Sequence, residues 1–280
     1  MSFSGFRYSK TLKDDIVMPL SIANFNVLNH EHLNRFTIFR EDENTINNRY
    51  IVSAAILLEY ITTYKIIAIS LSEVTKEYYD VLVDMLFYYI QQNTVKYFYD
   101  GKSLMTIFFD SDSIKITMAK QVELDIDHKR DRLQIFNLGL KYKNKNYYLT
   151  YINIHGYGLP EIRKQYLHNT MFEICQLQND EKIDNDFLCI GDFNSDLNQV
   201  NIAIEDVKNE NCFLDLSLYK NYLPTSYHRY IVDQKGKFNQ KPEEERYIKL
   251  DHLLYTKNFK IEQFNIFPNN FAEYEHPYFI

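Results

Sequence analysis

Apolar residues along this chain come in short runs that stop abruptly at a polar side chain. The clearest case is Phe187-Leu188-Cys189-Ile190, which runs into Gly191-Asp192-Phe193-Asn194. A run of that length ended by glycine predicts a buried strand reaching the edge of a sheet. Residues i and i+2 of a strand share a face, so Asp192 and Asn194 project together from its carboxyl end. Residues 20–28 predict a first strand, interrupted on one face by Asn24 and Asn26, a residue type depleted in strands. Residues 65–71 are nearly all apolar and predict a central parallel strand that ends at Ser72-Glu73-Val74.

Helical patterns lie between these strands. Residues 46–63 are crowded with apolar side chains, and Tyr78, Leu82, Met85, Leu86 and Tyr89 fall on one face of a helix over 75–91. Strands follow at 94–99, 104–109, 114–118, 133–142 and 147–154, with Asp100-Gly101 as a hairpin signal and 144–146 turning the last pair. The strand at 147–154 ends at His155, with Gly156 and Gly158 close behind. Pro160 then opens a helix to about residue 178. Beyond Asp196 the pattern weakens. It predicts a short helix at 202–209, a mobile surface loop at 232–246, a strand at 247–255 with Asp251 in its middle, and a last short strand behind Glu275-His276-Pro277. Residues 30–48 and 123–132 read as polar surface loops.

Polar side chains therefore end or interrupt apolar strands at Asn26, Glu73, His155, Asp192 with Asn194, Asp251 and His276. Each has a plain structural reading by itself. Asp and Asn favour turns, an acid before a helix is favoured by the dipole, and a histidine at a strand edge can serve a backbone partner. A buried carboxylate such as Asp251 needs a partner, and a histidine is the obvious one. Taken together, the set predicts strand ends converging on one site. Its inventory is carboxylates, amides and histidines, with no serine or cysteine in a nucleophile's setting. That chemistry suits a divalent cation, an activated water and a phosphoester.

The same positions resemble a known family in order along the chain. Asn24-Phe25-Asn26-Val27-Leu28 resembles the first-strand asparagine motif of the endonuclease/exonuclease/phosphatase superfamily, with Asn26 as the match. Ser72-Glu73-Val74 resembles its metal-binding glutamate motif, with serine where glutamine is usual. Asn153-Ile154-His155-Gly156 resembles its phosphate-contacting histidine motif, and Gly191-Asp192-Phe193-Asn194 its central signature. Leu250-Asp251-His252 resembles the late strand whose aspartate orients the catalytic histidine. Glu275-His276-Pro277 resembles the terminal motif, with glutamate where aspartate is usual.

The resemblance covers residues 22–280 and implies one domain over 1–280, with 1–19 as a lead-in. It implies a DNase I-like fold, a four-layer α/β sandwich of two mostly antiparallel sheets packed face to face with helices outside. It further implies Mg2+ or Mn2+ held by Glu73 with Asn26 and Glu275. Asp192 would activate the water, Asn194 and Asn26 would contact the substrate phosphate, His155 and His276 would bracket it, and Asp251 would orient His276.

Composition narrows the substrate less than the site does. The net charge of −7 argues against a broad basic coat for duplex nucleic acid, while 24 Tyr and 20 Phe supply rings that can stack on unpaired bases. The expected activity is a Mg2+-dependent phosphodiesterase, a nuclease on DNA or RNA with a slight preference for single strands. The alternatives are a phosphoesterase on an inositol phosphate, sphingomyelin or similar headgroup, and a silent binding module of the same fold. The three cysteines match no zinc spacing and read as buried free thiols of a reducing compartment. With no apolar stretch long enough to span a bilayer, the chain is expected to be soluble and intracellular, cytoplasmic or nuclear.

Overall fold

The computed structural model describes residues 2–11, 17–27, 42–124, 132–184, 186–210, 216–218, 226–227, 230–232, 238–240, 247–248, 250–256 and 259–266. The chain opens with β1 (Ser2–Thr11) and β2 (Val17–Asn26), then α1 (Glu43–Tyr64), β3 (Ala68–Ser72), α2 (Lys76–Gln91), β4 (Val95–Tyr99) and β5 (Met105–Phe109). It continues through β6 (Ile114–Gln121), β7 (Leu133–Tyr142), β8 (Lys145–His155), α3 (Pro160–Asn179), β9 (Phe187–Asp192) and α4 (Leu197–Asn209). Short strands β10 (Leu216–Leu218), β11 (Ser226–Tyr227), β12 (Tyr230–Val232), β13 (Phe238–Gln240) and β14 (Tyr247–Ile248) precede β15 (Asp251–Thr256) and β16 (Phe259–Ile266).

Two six-stranded sheets form, in the orders β16-β1-β2-β3-β5-β4 and β10-β15-β9-β8-β7-β6. Each contains one parallel pair. β2 joins β3 through α1, and β8 joins β9 through α3, while the other pairings within both sheets are antiparallel. Strand period fixes which residues face where. Leu20, Ile22, Ala68, Phe108, Phe136, Leu138, Tyr151, Leu188, Ile190 and Leu253 form the seam between the sheets. The alternate residues Ala23, Phe25, Ile69, Leu71 and Ile107 pack under α1 and α2. Ile135, Ile152, Ile154, Phe187 and Cys189 pack under α3 and α4. Helix, sheet, sheet and helix make the expected four layers.

The seam changes chemistry toward one end. Asn24 lies opposite Ser70, and Ser70 opposite Thr106, in the first sheet. Gln134 lies opposite Asn153 in the second. All five are buried, and hydrogen bonding offsets the cost of that burial. Thr106 Oγ1 donates to Gln134 Oε1 at 2.7 Å, Asn153 Nδ2 donates to Thr106 Oγ1 at 3.0 Å, and Ser70 Oγ meets the Tyr151 hydroxyl at 2.9 Å. One strand step further on are Asn26 opposite Ser72, and His155 and Asp251 either side of Asp192.

Several sequence expectations shift. The lead-in is a strand, β1, paired with β2 and with β16. The loop expected over 30–48 gives way at Glu43 to α1, whose N-cap Asp42 accepts from Thr45 N at 2.7 Å. β3 is parallel to β2 but antiparallel to β5. Residues 143–144, both at positive φ, turn β7 into β8 one position early. α4 starts five residues sooner than expected, because Asp196 and Gln199 form a capping box. Part of the loop expected over 232–246 pairs as β12 with β13, and Asp251 opens β15 rather than sitting mid-strand. Cys175 is in a disulfide whose other half lies outside the described residues, so only Cys189 among the described cysteines is a buried free thiol. Among the described residues no helix is long and apolar enough to cross a membrane.

Two glycines allow the carboxyl ends of β8 and β9 to close up. A Cβ on Gly191 would lie 1.9 Å from Ile154 O, and one on Gly156 would lie 2.0 Å from Phe193 O. The obstacle is backbone in both cases and cannot swing aside. Gly156→Ala or Gly191→Ala is therefore expected to destabilise the fold by more than about 3 kcal/mol, read by urea titration. A loss under about 1 kcal/mol would show that the strand ends are not closed as described.

Candidate active site

The site lies where the two parallel pairs end. β2 delivers Asn26 with its last residue, β8 delivers His155 with its last, and β9 delivers Asp192 with its last. Glu73 follows β3 directly and takes φ 58°, a conformation that costs a non-glycine residue energy and is kept where its surroundings fix it. Asn194 takes φ 50°, in the left-handed region that asparagine tolerates better than most.

Asn26 joins the two acids. Its Nδ2 donates to Glu73 Oε1 at 3.2 Å and to Asp192 Oδ2 at 3.1 Å. His155 Nε2 is 3.9 Å from Glu73 Oε1. Asp192 Oδ1 accepts the Asn194 backbone N–H at 2.8 Å, an Asx turn, and Asn194 Nδ2 donates to Gly156 O at 3.0 Å. Gly156 N donates to Asp192 O at 2.7 Å. The four groups Asn26, Glu73, His155 and Asp192 thus meet in one cluster, buried except for a partly exposed Glu73, and Asn194 ties the β8 and β9 corners together. Asn26 presents its amide nitrogen to the acids, and the side chain of Asn194 is spent on a brace to Gly156. The space that Gly156 leaves is filled by the Phe193 carbonyl, not left open for a phosphate.

Asp251 stands beside Asp192 in register and accepts from Asn24 Nδ2 at 2.6 Å across the seam. Glu275 and His276, expected to complete the set, lie outside the described residues.

Burial pushes the Asp192 carboxyl above the ordinary range of aspartate, and the neighbouring Glu73 charge pushes it further. His155, the Asn194 N–H and Asn26 act the other way. Two acids bridged by one amide, with hard oxygen donors, fit a small divalent cation. Mg2+ in particular is held by one or two carboxylates and completes its shell with water and substrate oxygens. Among the described residues no group of three or more His, Cys, Asp or Glu is placed to hold a metal.

Sequence reasoning passed over Arg132, placed in a solvated charged loop. Its Nη1 donates to Gly156 O at 2.8 Å, and its guanidinium lies 4.1 Å over the Tyr157 ring. It also missed Asn153, Gln134 and Thr106 beneath the site. The one signal for them was Asn153 lying two positions before His155 on one strand face. Among the described residues the half-buried Tyr157 lies two positions past His155, while the fully exposed rings lie farther off. Phe87 and Tyr88 are exposed near the far end of α2, and Tyr148 near the start of β8, each several turns or strand residues from the cluster.

The fold is similar to that of several solved structures. An endonuclease/exonuclease/phosphatase family protein from Bacteroides thetaiotaomicron superposes with TM-score 0.54 at 15% identity, over 85% of this chain and 83% of its own. The human nocturnin catalytic domain with bound sulfate gives 0.53 at 14%, over 92% and 90%. TDP2 of D. rerio in complex with a single-strand DNA product gives 0.51 at 14%, over 85% and 83%. No protein-family model and no curated protein matches the sequence. At this identity the likeness is one of fold.

The raised Asp192 carboxyl sets a pH-dependence. Between its unfolded and folded pKa the unfolded chain has released a proton that the folded chain keeps, so stability falls as pH rises through that window. Asp192→Asn removes the charge and is expected to melt higher than the wild type at pH 7 without divalent metal. Mg2+ should raise the wild-type Tm and, with Glu73 still present, raise that of the variant by less. Equal Mg2+ shifts in both proteins would take Asp192 out of the metal's surroundings.

Proposed function

We propose that this chain, which carries the DNase I-like fold of the endonuclease/exonuclease/phosphatase superfamily, is a metal-dependent phosphodiesterase acting on nucleic acid, with single strands preferred. The observation that carries the reading is the meeting of Glu73, Asp192, Asn26 and His155 at the joined ends of two parallel strand pairs. Ligands of open α/β sheets bind outside the carboxyl ends of parallel strands, where loops can vary while the sheet holds still.

Glu73, with Asn26 beside it, would hold Mg2+ or Mn2+. Bound there, the ion would supply positive charge to a non-bridging phosphate oxygen. Asp192 is the base for the attacking water. Burial holds its carboxyl above the ordinary aspartate range, and a cation bound beside it would draw it down again. Asn26 keeps Asp192 and Glu73 apart and oriented. His155 donates toward the phosphate opposite the water, where charge grows in the transition state. Asn194 holds the corner that carries both. Glu275 and His276 keep the roles that the resemblance gives them, metal support and the second bracket on the phosphate.

Nucleic acid is favoured because TDP2 of D. rerio, a protein of this fold, is complexed with a single-strand DNA product. A small phosphoester is the second reading. A mannosyl-6-phosphatase of Bacteroides thetaiotaomicron has the same fold, with TM-score 0.53 at 15% identity, and a net charge of −7 suits a small substrate better than a long polyanion.

The test is turnover of labelled single-stranded RNA, single-stranded DNA, duplex DNA and mannose 6-phosphate with Mg2+, Mn2+ or EDTA. Strand cleavage should require metal and fall about 100-fold or more in Asp192→Ala. Turnover confined to the sugar phosphate would select the second reading. Undiminished turnover in a folded Asp192→Ala protein would sink the scheme.

A further inference from the structure

Asn24 is wholly buried in the middle of the sheet seam, on the same face of β2 as Asn26. Asparagine is a poor strand residue, and a buried amide is costly without partners, so its presence calls for a reason. The structure supplies one. Asn24 Nδ2 donates to Asp251 Oδ1 at 2.6 Å, between residues 227 apart in the chain and on opposite sheets. The bond is short and made to an acid that is itself buried, which places it among the stronger hydrogen bonds.

The position of Asp251 gives this bond its consequence. Asp251 pairs with Asp192 in the β15–β9 ladder, and the residue before it, Leu250, accepts the Phe193 N–H at 2.8 Å. One strand therefore handles two neighbouring acids with two amides: Asn26 takes Asp192, and Asn24 takes Asp251. An amide serves here where a lysine would not, because it donates to the acid without adding a charge to the dry seam.

We propose that Asn24 is a positioning residue of the site, which orients the Asp251 carboxylate from the facing sheet and holds the start of β15 against Asp192. The proposal rests on the phosphodiesterase reading above.

The experiment compares Asn24→Leu, nearly equal in shape but without a donor, with the wild type at a temperature where circular dichroism shows both folded. The expected result is a drop in kcat of about tenfold or more with KM changed less than about threefold. Asn24→Ser, which leaves room for a water, gives the same reading if the leucine variant does not fold. The exchanged pair, Asn24→Asp with Asp251→Asn, restores an amide–carboxylate bond across the seam. It should recover Tm relative to either single change without recovering kcat. An Asn24→Leu protein with wild-type kcat, or an exchanged pair with wild-type kcat, would overturn the proposal and leave Asn24 a packing residue. A wild type inert toward every phosphoester would instead overturn the functional reading, and with it any catalytic part for Asn24.

Discussion

Two carboxylates held close together away from water repel each other, and the architecture is arranged around bringing them there nonetheless. Glu73 and Asp192 belong to different sheets and meet over a single amide, that of Asn26. Neither acid could be placed by a loop alone with this constancy. Each is set at or just past the end of a strand that is buried on both faces, under a crossover helix on one side and against the opposing sheet on the other. The repulsion that remains shows in the Asp192 carboxyl, which burial and the Glu73 charge together keep reluctant to ionise.

The layered seam explains how such a site is supported. At one end the inner faces are wholly apolar. Then comes a band of five hydrogen-bonding residues, and then the acids. A direct step from apolar core to paired charges would strip solvent from the carboxylates without offering them donors. In the intermediate band Thr106, Gln134 and Asn153 bond to one another, Ser70 meets the Tyr151 hydroxyl, and Asn24 reaches Asp251. Three helices also begin within a few residues of the cluster, with N-caps at Thr75, Leu159 and Asp196.

Much of this was legible because strand ends carry local signatures. The apolar run into Gly191-Asp192, the helix cap at Thr75 and Pro160 at a helix start are each short-range events. The parts that were not legible depend on distant partners. β1 has no strong alternation of its own and is a strand because β2 and β16 flank it. The start of β15 at Asp251 is set by pairing with β9, which the residues around 250 do not encode locally. Asn24 stood out as an oddity, but its partner lies 227 positions away. The start of α4 was readable and was missed, since Asp196 and Gln199 spell a capping box within four residues. Arg132 was lost among charged neighbours that resemble a solvated loop.

The distances in sequence that separate the partners have a consequence in time. A ribosome releases Asn26 early, Glu73 47 residues later and Asp192 166 residues after Asn26. Until the second sheet emerges, the first presents one acid and an amide with nothing opposite. The parallel pairing of β8 with β9, and the closure of β15 beside them, must then wait for most of the chain. Folding dominated by such non-local pairing is slow. The cluster is therefore complete only once strands of both sheets are in place.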